Sequence, residues 1–276
     1  MTEPPPAFTA QLFPDLLTGL VDLLSALHPD EWSTPVPRKS WAVHDAALHL
    51  LGADVGWLSR ERDGFAASTV RAATSPELVA ALKALNDTWI AAGRRISPRL
   101  LCDLLRFSGE QVSGYVRSLD PHALGGVVSW AGPDPAPNWL GIGQEYTERW
   151  HHQQHIREAL GRPGFADRRF LQPALEVCMR ALPCAYRGLE MPAGTTVAVT
   201  VVGDSGAPWF LAREGPQWRL HSGRAEHPAA EIFIPERTAW MLFTKWISKG
   251  DALRQSSLRG DTSLAGRAFD ATAVIA

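Results

Sequence analysis

From Phe8 to Gly164 one pattern recurs in this chain: apolar residues at helical spacing, set between helix-start and helix-stop residues. In its first instance Leu12, Leu16, Leu17, Leu20, Leu23, Leu24 and Leu27 share one stripe of a helix predicted over Phe8–Leu27, and His28-Pro29-Asp30 ends it. Thr34–Pro37 is proline-rich and is expected to run extended. Ser40 precedes a second helix, predicted over Val43–Arg62. Ser75-Pro76-Glu77 supplies a cap, a proline at the first helical position and an acid in the first turn. It opens a third helix to about Arg95, and Ser97-Pro98 opens a fourth to about Leu119. After a Gly- and Pro-rich loop, Asp120–Asn138, a further helix is predicted over Ile142–Leu160, stopped by Gly161-Arg162-Pro163-Gly164. Helices with one apolar stripe and modest connections bury those stripes against one another, so this part is expected to be a helix bundle.

After Gly164 the texture changes. A helix is expected over Phe170–Arg187, followed by the β-branched run Thr195–Val202. Trp209–Ala212, Trp218–His221 and Glu231–Ile234 are short strand candidates divided by Gly, Pro and Asp. Thr238–Ser248 reads as helix again, then a short helix over Thr262–Ala268 and a last strand over Ala273–Ile275. The expected class is therefore α+β: a helix bundle over residues 1–164 and a smaller α+β domain over 165–276.

Composition bears mainly on what the chain does not do. Of its 276 residues 45 % are apolar and 20 % charged, as in a globular protein with a core of its own. A net charge of −2 with scattered basic residues gives no electrostatic case for nucleic acid or an anionic membrane. The start, MTEPPPAF, lacks the features of a signal peptide, and the apolar stretch Leu16–Leu27 is too short to span a bilayer. Three cysteines, Cys102, Cys178 and Cys184, without CxxC spacing, fit neither a disulfide framework nor a cysteine zinc site. Reduced thiols and a cytoplasmic location are the expectation.

Histidine is where chemistry concentrates. His44 and His49 fall on the second helix, and His151, His152 and His155 on the last bundle helix, in EYTERWHHQQHIREAL. Residues four apart share a helix face, so Glu148 and His152 form a two-ligand platform for a metal. His155 stays near that stripe, whereas His151 sits about 100° around the helix from His152. A third ligand must come from a neighbouring helix, and His49, between Leu48 and Leu50 in an apolar helix, is expected to point inward. Two imidazoles and a carboxylate with an open fourth position suit zinc. The spacing is not HExxH, so the metalloprotease helix is not matched.

The segment WAVHDAALHLLGAD, Trp41–Asp54, resembles the first signature of the DinB-like metal-binding four-helix bundle, and more closely that of the mycothiol-dependent maleylpyruvate isomerase family. EYTERWHHQQHIREALGRP resembles its second signature, Glu-x-x-x-His-x-x-Asp, and LNDTWIAAGRRISPRLLCDLL, Leu85–Leu105, its middle helices. The resemblance implies a divalent metal, most simply Zn2+, on His49, Glu148 and His152, and a C-terminal domain like a sterol-carrier protein. His155 stands where the family usually has Asp. It is a candidate metal ligand, orienting partner or proton carrier.

Family members use the metal to hold a small cofactor thiol as its reactive thiolate. The implied function is thus a thiol-dependent isomerase or S-transferase acting on a small electrophile, with mycothiol or bacillithiol as cofactor and no protein nucleophile. Cations for an acidic ligand are Arg94, Arg95, Arg99 and Arg259, and Trp139, Trp150 and Trp57 are candidate pocket walls. His155 and Arg259 are expected to act in catalysis, and Arg94 and Trp139 to hold the cofactor. Two alternatives stay open: a hydrolase using metal-bound water, with Glu145 or His155 moving the proton, and a non-catalytic metal- or ligand-binding stress protein.

Overall fold

The structure, a computed structural model, describes residues 2–65, 70 and 75–274. In chain order its elements are α1 (Phe13–Ser25), α2 (Val43–Trp57), α3 (Ser75–Gly93), α4 (Pro98–Ser118), β1 (Leu124–Val127), β2 (Pro135–Pro137), α5 (Asn138–Ala159), α6 (Arg168–Met179), α7 (Leu182–Ala185), β3 (Thr196–Val202), β4 (Pro208–Glu214), β5 (Gln217–Ser222), β6 (Ala230–Pro235), α8 (Glu236–Phe243), α9 (Lys249–Arg254), β7 (Ser257–Gly260) and α10 (Thr262–Gly266). The class is α+β, as the periodicities predict. None of the described helices is long and apolar enough to cross a membrane. The chain divides into two units. One holds Thr9–Asp120 and Glu148–Phe165; the other holds Met1–Phe8, Pro121–Thr147 and Ala166–Ile275.

In the helical unit α4 packs against α1 and α2, and α3 against α2. Leu16, Leu20 and Leu24 of α1 meet a core that includes Leu50 of α2 and Leu101, Leu105 and Val112 of α4, all buried. A Cβ at Gly109 would lie 2.4 Å from a Leu17 methyl, so the α1–α4 approach depends on that glycine. The last turns of α5 complete the unit, with Trp150 and Ile156 fully buried. Two side chains tie α5 to the α1 backbone: Gln153 Nε2 donates to the Leu16 carbonyl and Arg157 Nη2 to that of Gly19, each at 2.9 Å.

The other unit is built on a five-stranded sheet in the order β5-β4-β3-β6-β7. β3 and β6 are parallel and every other pair is antiparallel. In β3 the alternation reads directly as structure, with Val197, Val199 and Val201 buried and their neighbours half-exposed or exposed. α8 packs on β3 and β6, and α6 on α8.

Several boundaries differ from the sequence reading for local reasons. The loop Asp120–Asn138 contains the β1–β2 pair, and α5 begins at Asn138, whose N–H is taken by the Ala123 carbonyl. The helix expected over Phe170–Arg187 ends at Met179, and the one over Thr238–Ser248 ends at Phe243, just before Lys245 turns to φ 58°. No strand forms at Ala273 and Val274, because the Ala273 N–H goes to the Phe243 carbonyl instead of a ladder; Ile275 lies outside the described residues. The sheet edge is filled by β7, whose Gly260 has φ 70° and approaches the Ala229 carbonyl too closely for a Cβ.

Candidate metal centre

α2 and α5 bring the site together. α2 starts where Asp45 Oδ2 accepts the Ala42 N–H at 3.1 Å, and His49 follows one turn later between the buried Leu48 and Leu50. On α5, Glu148 and His152 stand one turn apart. His49 and His152 each direct Nε2 at one oxygen of Glu148, Oε1, at 3.0 and 3.1 Å. The ligand atoms of these three residues lie within 4.8 Å of one another. His49 and His152 are 9 % and 3 % exposed, while the Glu148 side chain keeps 27 %, so the trio closes off on the imidazole side and opens past the carboxylate. Two imidazole nitrogens and a carboxylate oxygen converging at this spacing fit a divalent cation of the zinc type.

The electrostatics keep His152 and Glu148 in the forms that ligate a metal. Burial, with His151 and His49 beside it, holds His152 well below the usual imidazole range. His155 is lowered in the same way, by burial first and then by His151 and His152. Burial acts to raise the Glu148 carboxyl, but His152 and His151, with the two imidazole hydrogen bonds, outweigh it and hold the group well below the usual carboxylate range. A neutral imidazole at His152 and an ionised carboxylate at Glu148 are the states a metal requires.

Around the trio, three sets of contacts fix the helices. Arg94 donates two parallel hydrogen bonds to Asp45, at 2.9 and 3.0 Å, joining the residues after α3 to α2. Arg149 donates Nη2 and Nε to Asp54 Oδ1 at 2.7 and 3.1 Å, and Ser108 Oγ donates to Asp54 Oδ2 at 2.7 Å. That network links α2, α4 and α5 in a buried setting. The third set is the turn before α2. Trp41 lies with its ring centroid 5.0 Å from that of His49 and 5.8 Å from that of His152, and Lys39 Nζ is 5.4 Å from the Trp41 centroid.

The expected site residues are distributed as follows. His49, Glu148 and His152 come together. His155 is buried at 1 % exposure, its ring 5.3 Å from His152 and 5.1 Å from His151, and His151, His152 and His155 form a second group with ligand atoms within 4.8 Å. His151 Nδ1 is 4.0 Å from Glu148 Oε2, closer to the carboxylate than the 100° offset suggests. Arg94 is engaged by Asp45. Trp139 belongs to the other unit, where Arg180 stands 4.9 Å over its ring beside a cavity of about 500 Å3. Arg259, on β7, lies 5.2 Å over the Phe233 ring. Burial raises all three thiols, Cys178 to about 12, so none is a ready nucleophile. Sequence reasoning passed over Lys39 and the Asp54–Arg149–Ser108 network. Asp54 and Arg149 stand within the two signature segments, whereas Lys39, in a proline-rich connector, carries no pattern at all.

The sequence profile of the mycothiol maleylpyruvate isomerase N-terminal domain matches residues 13–157. The chain belongs to that family. Its matched span begins with α1 and closes two residues after His155, so it takes in both helices of the trio. Two solved structures, described as the mycothiol-dependent maleylpyruvate isomerase and a histidine-to-alanine mutant of it, share the fold. Each is 11 % identical and covers 88 % of this chain and 91 % of its own, with TM-scores of 0.52 and 0.53. Curated protein sequences give no match.

Proposed function

We propose that this member of the mycothiol maleylpyruvate isomerase family is a metal- and thiol-dependent enzyme, an isomerase or S-transferase for a small electrophile. The observation that carries the reading is the convergence of His49 Nε2, His152 Nε2 and Glu148 Oε1, with each of the three cysteine thiols raised by burial. The family description supports mycothiol as the thiol. His49, His152 and Glu148 would hold a divalent ion, zinc by donor chemistry. Such an ion would supply Lewis acidity that lowers a cofactor thiol's pKa, so that the thiolate would be available at neutral pH.

The protein residues supply the rest. The Asp45–Arg94 pair and the Asp54–Arg149–Ser108 network set the positions of α2 and α5, and so of His49 against Glu148. Trp41 covers one side of the imidazole pair and keeps water from it. His155, neutral and buried behind His152, fixes the ring from within the bundle rather than touching substrate. A reduced, cytoplasmic setting is part of the same proposal.

The test is metal content by elemental analysis of the purified protein and of Glu148→Ala, followed by turnover with a panel of low-molecular-weight thiols. One equivalent in the wild type, its loss in the variant, and turnover only with an added thiol support the reading. Equal metal in both proteins, or turnover without any thiol, overturns it.

A further inference from the structure

Lys39 stands out among the groups around the trio. Its side chain is half-buried, yet among the described residues it makes neither a hydrogen bond nor an ion pair; its Nζ stands 5.4 Å from the Trp41 ring centroid. An ammonium taken partly out of water without a carboxylate is costly, and burial lowers the Lys39 ammonium below its ordinary range while the Glu148 charge acts to restore it. Two other described cations, Arg94 and Arg149, are paired, Arg94 with Asp45 and Arg149 with Asp54.

The turn that carries Lys39 is built. Pro35 and Ala42 form an antiparallel bridge, the Val36 N–H donates to the Trp41 carbonyl at 2.8 Å, and the Lys39 N–H donates to the Val36 carbonyl at 3.3 Å. Arg38 adopts φ 61°, a left-handed conformation that a residue with a side chain takes only when its surroundings impose it. The turn thus spends backbone strain to set Lys39 at its tip while Trp41 docks on the His49 and His152 rings. Lys39 is also close enough for its charge to act on both Glu148 and His155.

We propose that Lys39 is an anion-binding residue of this site, holding a carboxylate of the ligand that occupies the open side of the His49–Glu148–His152 trio. The inference rests on the metal- and thiol-dependent reading above. Under that reading the charge set against the divalent ion and the Lys39 ammonium is that of Glu148, the carboxylate that acts on Lys39. Two positive charges are left over in a half-buried place. A thiolate at the metal answers one, and a carboxylate at Lys39 answers the other. A monoanionic ligand leaves the lysine unpaired, so Lys39 selects for ligands that bring a carboxylate besides the sulfur. The carboxylate can sit on the thiol itself or on the electrophile that the thiol meets.

The test uses the full chain loaded with Co2+, whose sulfur-to-cobalt charge-transfer band reports a bound thiolate directly and without turnover. Dissociation constants are measured for 2-mercaptoethanol and mercaptosuccinate in the wild type, Lys39→Met and Lys39→Arg. Maleate, a dicarboxylate without sulfur, is titrated calorimetrically into the mercaptoethanol-bound protein. Lys39→Met is expected to leave mercaptoethanol affinity and cobalt content unchanged. It should weaken mercaptosuccinate, maleate or both by about tenfold or more, the scale of a hydrogen bond to a charged group, with Lys39→Arg restoring most of it. A Lys39-dependent loss confined to mercaptosuccinate puts the carboxylate on the thiol; a loss confined to maleate puts it on the electrophile. Equal affinities of wild type and Lys39→Met for both carboxylates overturn the inference, as does an equal loss for mercaptoethanol. A wild type that holds no cobalt or shows no thiolate band instead overturns the reading on which the inference rests.

Discussion

One oxygen of Glu148 stands 3.0 and 3.1 Å from two imidazole nitrogens, and that convergence separates the proposed metal ligands from the residues around them. Glu148→Gln keeps the side-chain shape but replaces an anionic donor with a neutral amide. It is expected to lower metal affinity by more than the roughly 10- to 100-fold that loss of an outer partner costs. His155→Ala is expected to stay within that range and to retain one equivalent; competition titration against a chelating dye measures both. Loss of the bound equivalent in His155→Ala would make His155 a ligand. The cysteines give a complementary expectation: thiol-dependent turnover of Cys184→Ser should match the wild type, because burial and a raised pKa already make that sulfur a poor nucleophile. At this scale the sequence was legible where chemistry follows helical spacing. Glu148 and His152 are four apart on one helix, and a spacing argument finds them. His49 is 99 residues from Glu148, and only the resemblance paired the two. Lys39 acts from a turn with a left-handed residue, which neither spacing nor composition foretells.

Helix register does the positioning. Asp54 lies five residues beyond His49 on α2, and Arg149 directly follows Glu148 on α5, so the buried Asp54–Arg149 pair fixes one helix against the other near both ligands. Its side chains are 7 % and 12 % exposed, and Ser108 of α4 satisfies the second carboxylate oxygen. Removing one partner leaves a buried charge uncompensated, at a cost of about 3–5 kcal/mol. Asp54→Ala is therefore expected to lower the urea midpoint strongly. It should also weaken metal binding, although Asp54 is not in the donor set. Full stability in this variant would show that hydrophobic packing alone sets the register. The element-level reading from sequence succeeded where amphipathic stripes are long, as in α1 and α4. It missed β1, β2 and β7, whose residues LGGV, PAP and SLRG lack β-branched alternation and pair only because the fold brings their partners alongside.

For the molecule as a whole, the buried histidines couple folding to protons and, under the proposed function, to metal. The change from helical to alternating periodicity after Gly164 made the α+β class readable, but the energetic cost of burying three adjacent imidazoles shows only in three dimensions. His152 and His155 bind protons more weakly in the folded chain than the ordinary value of 6.5. Below that pH the unfolded chain takes up protons that the folded chain refuses, so stability is present in full above about pH 6.5 and falls as the pH drops through it. The slope reaches about 1.4 kcal/mol per pH unit for each such histidine. Glu148 adds to the loss at more acid pH, since its lowered pKa contributes stability only above the ordinary carboxylate value of 4.5. Metal-free protein is accordingly expected to lose about 2–3 kcal/mol between pH 6.5 and 5.5, read as a falling urea midpoint. A divalent ion held as proposed would bind the folded, deprotonated ligands alone and add about 2.7 kcal/mol at a free concentration one hundred times its dissociation constant. Protons compete for the same nitrogens, so that increment shrinks with acidity and the loaded protein gives the steeper profile over this range. A flat profile from pH 7 to 5.5 without metal would mean that the imidazoles reach water in the folded state and are not held neutral by burial.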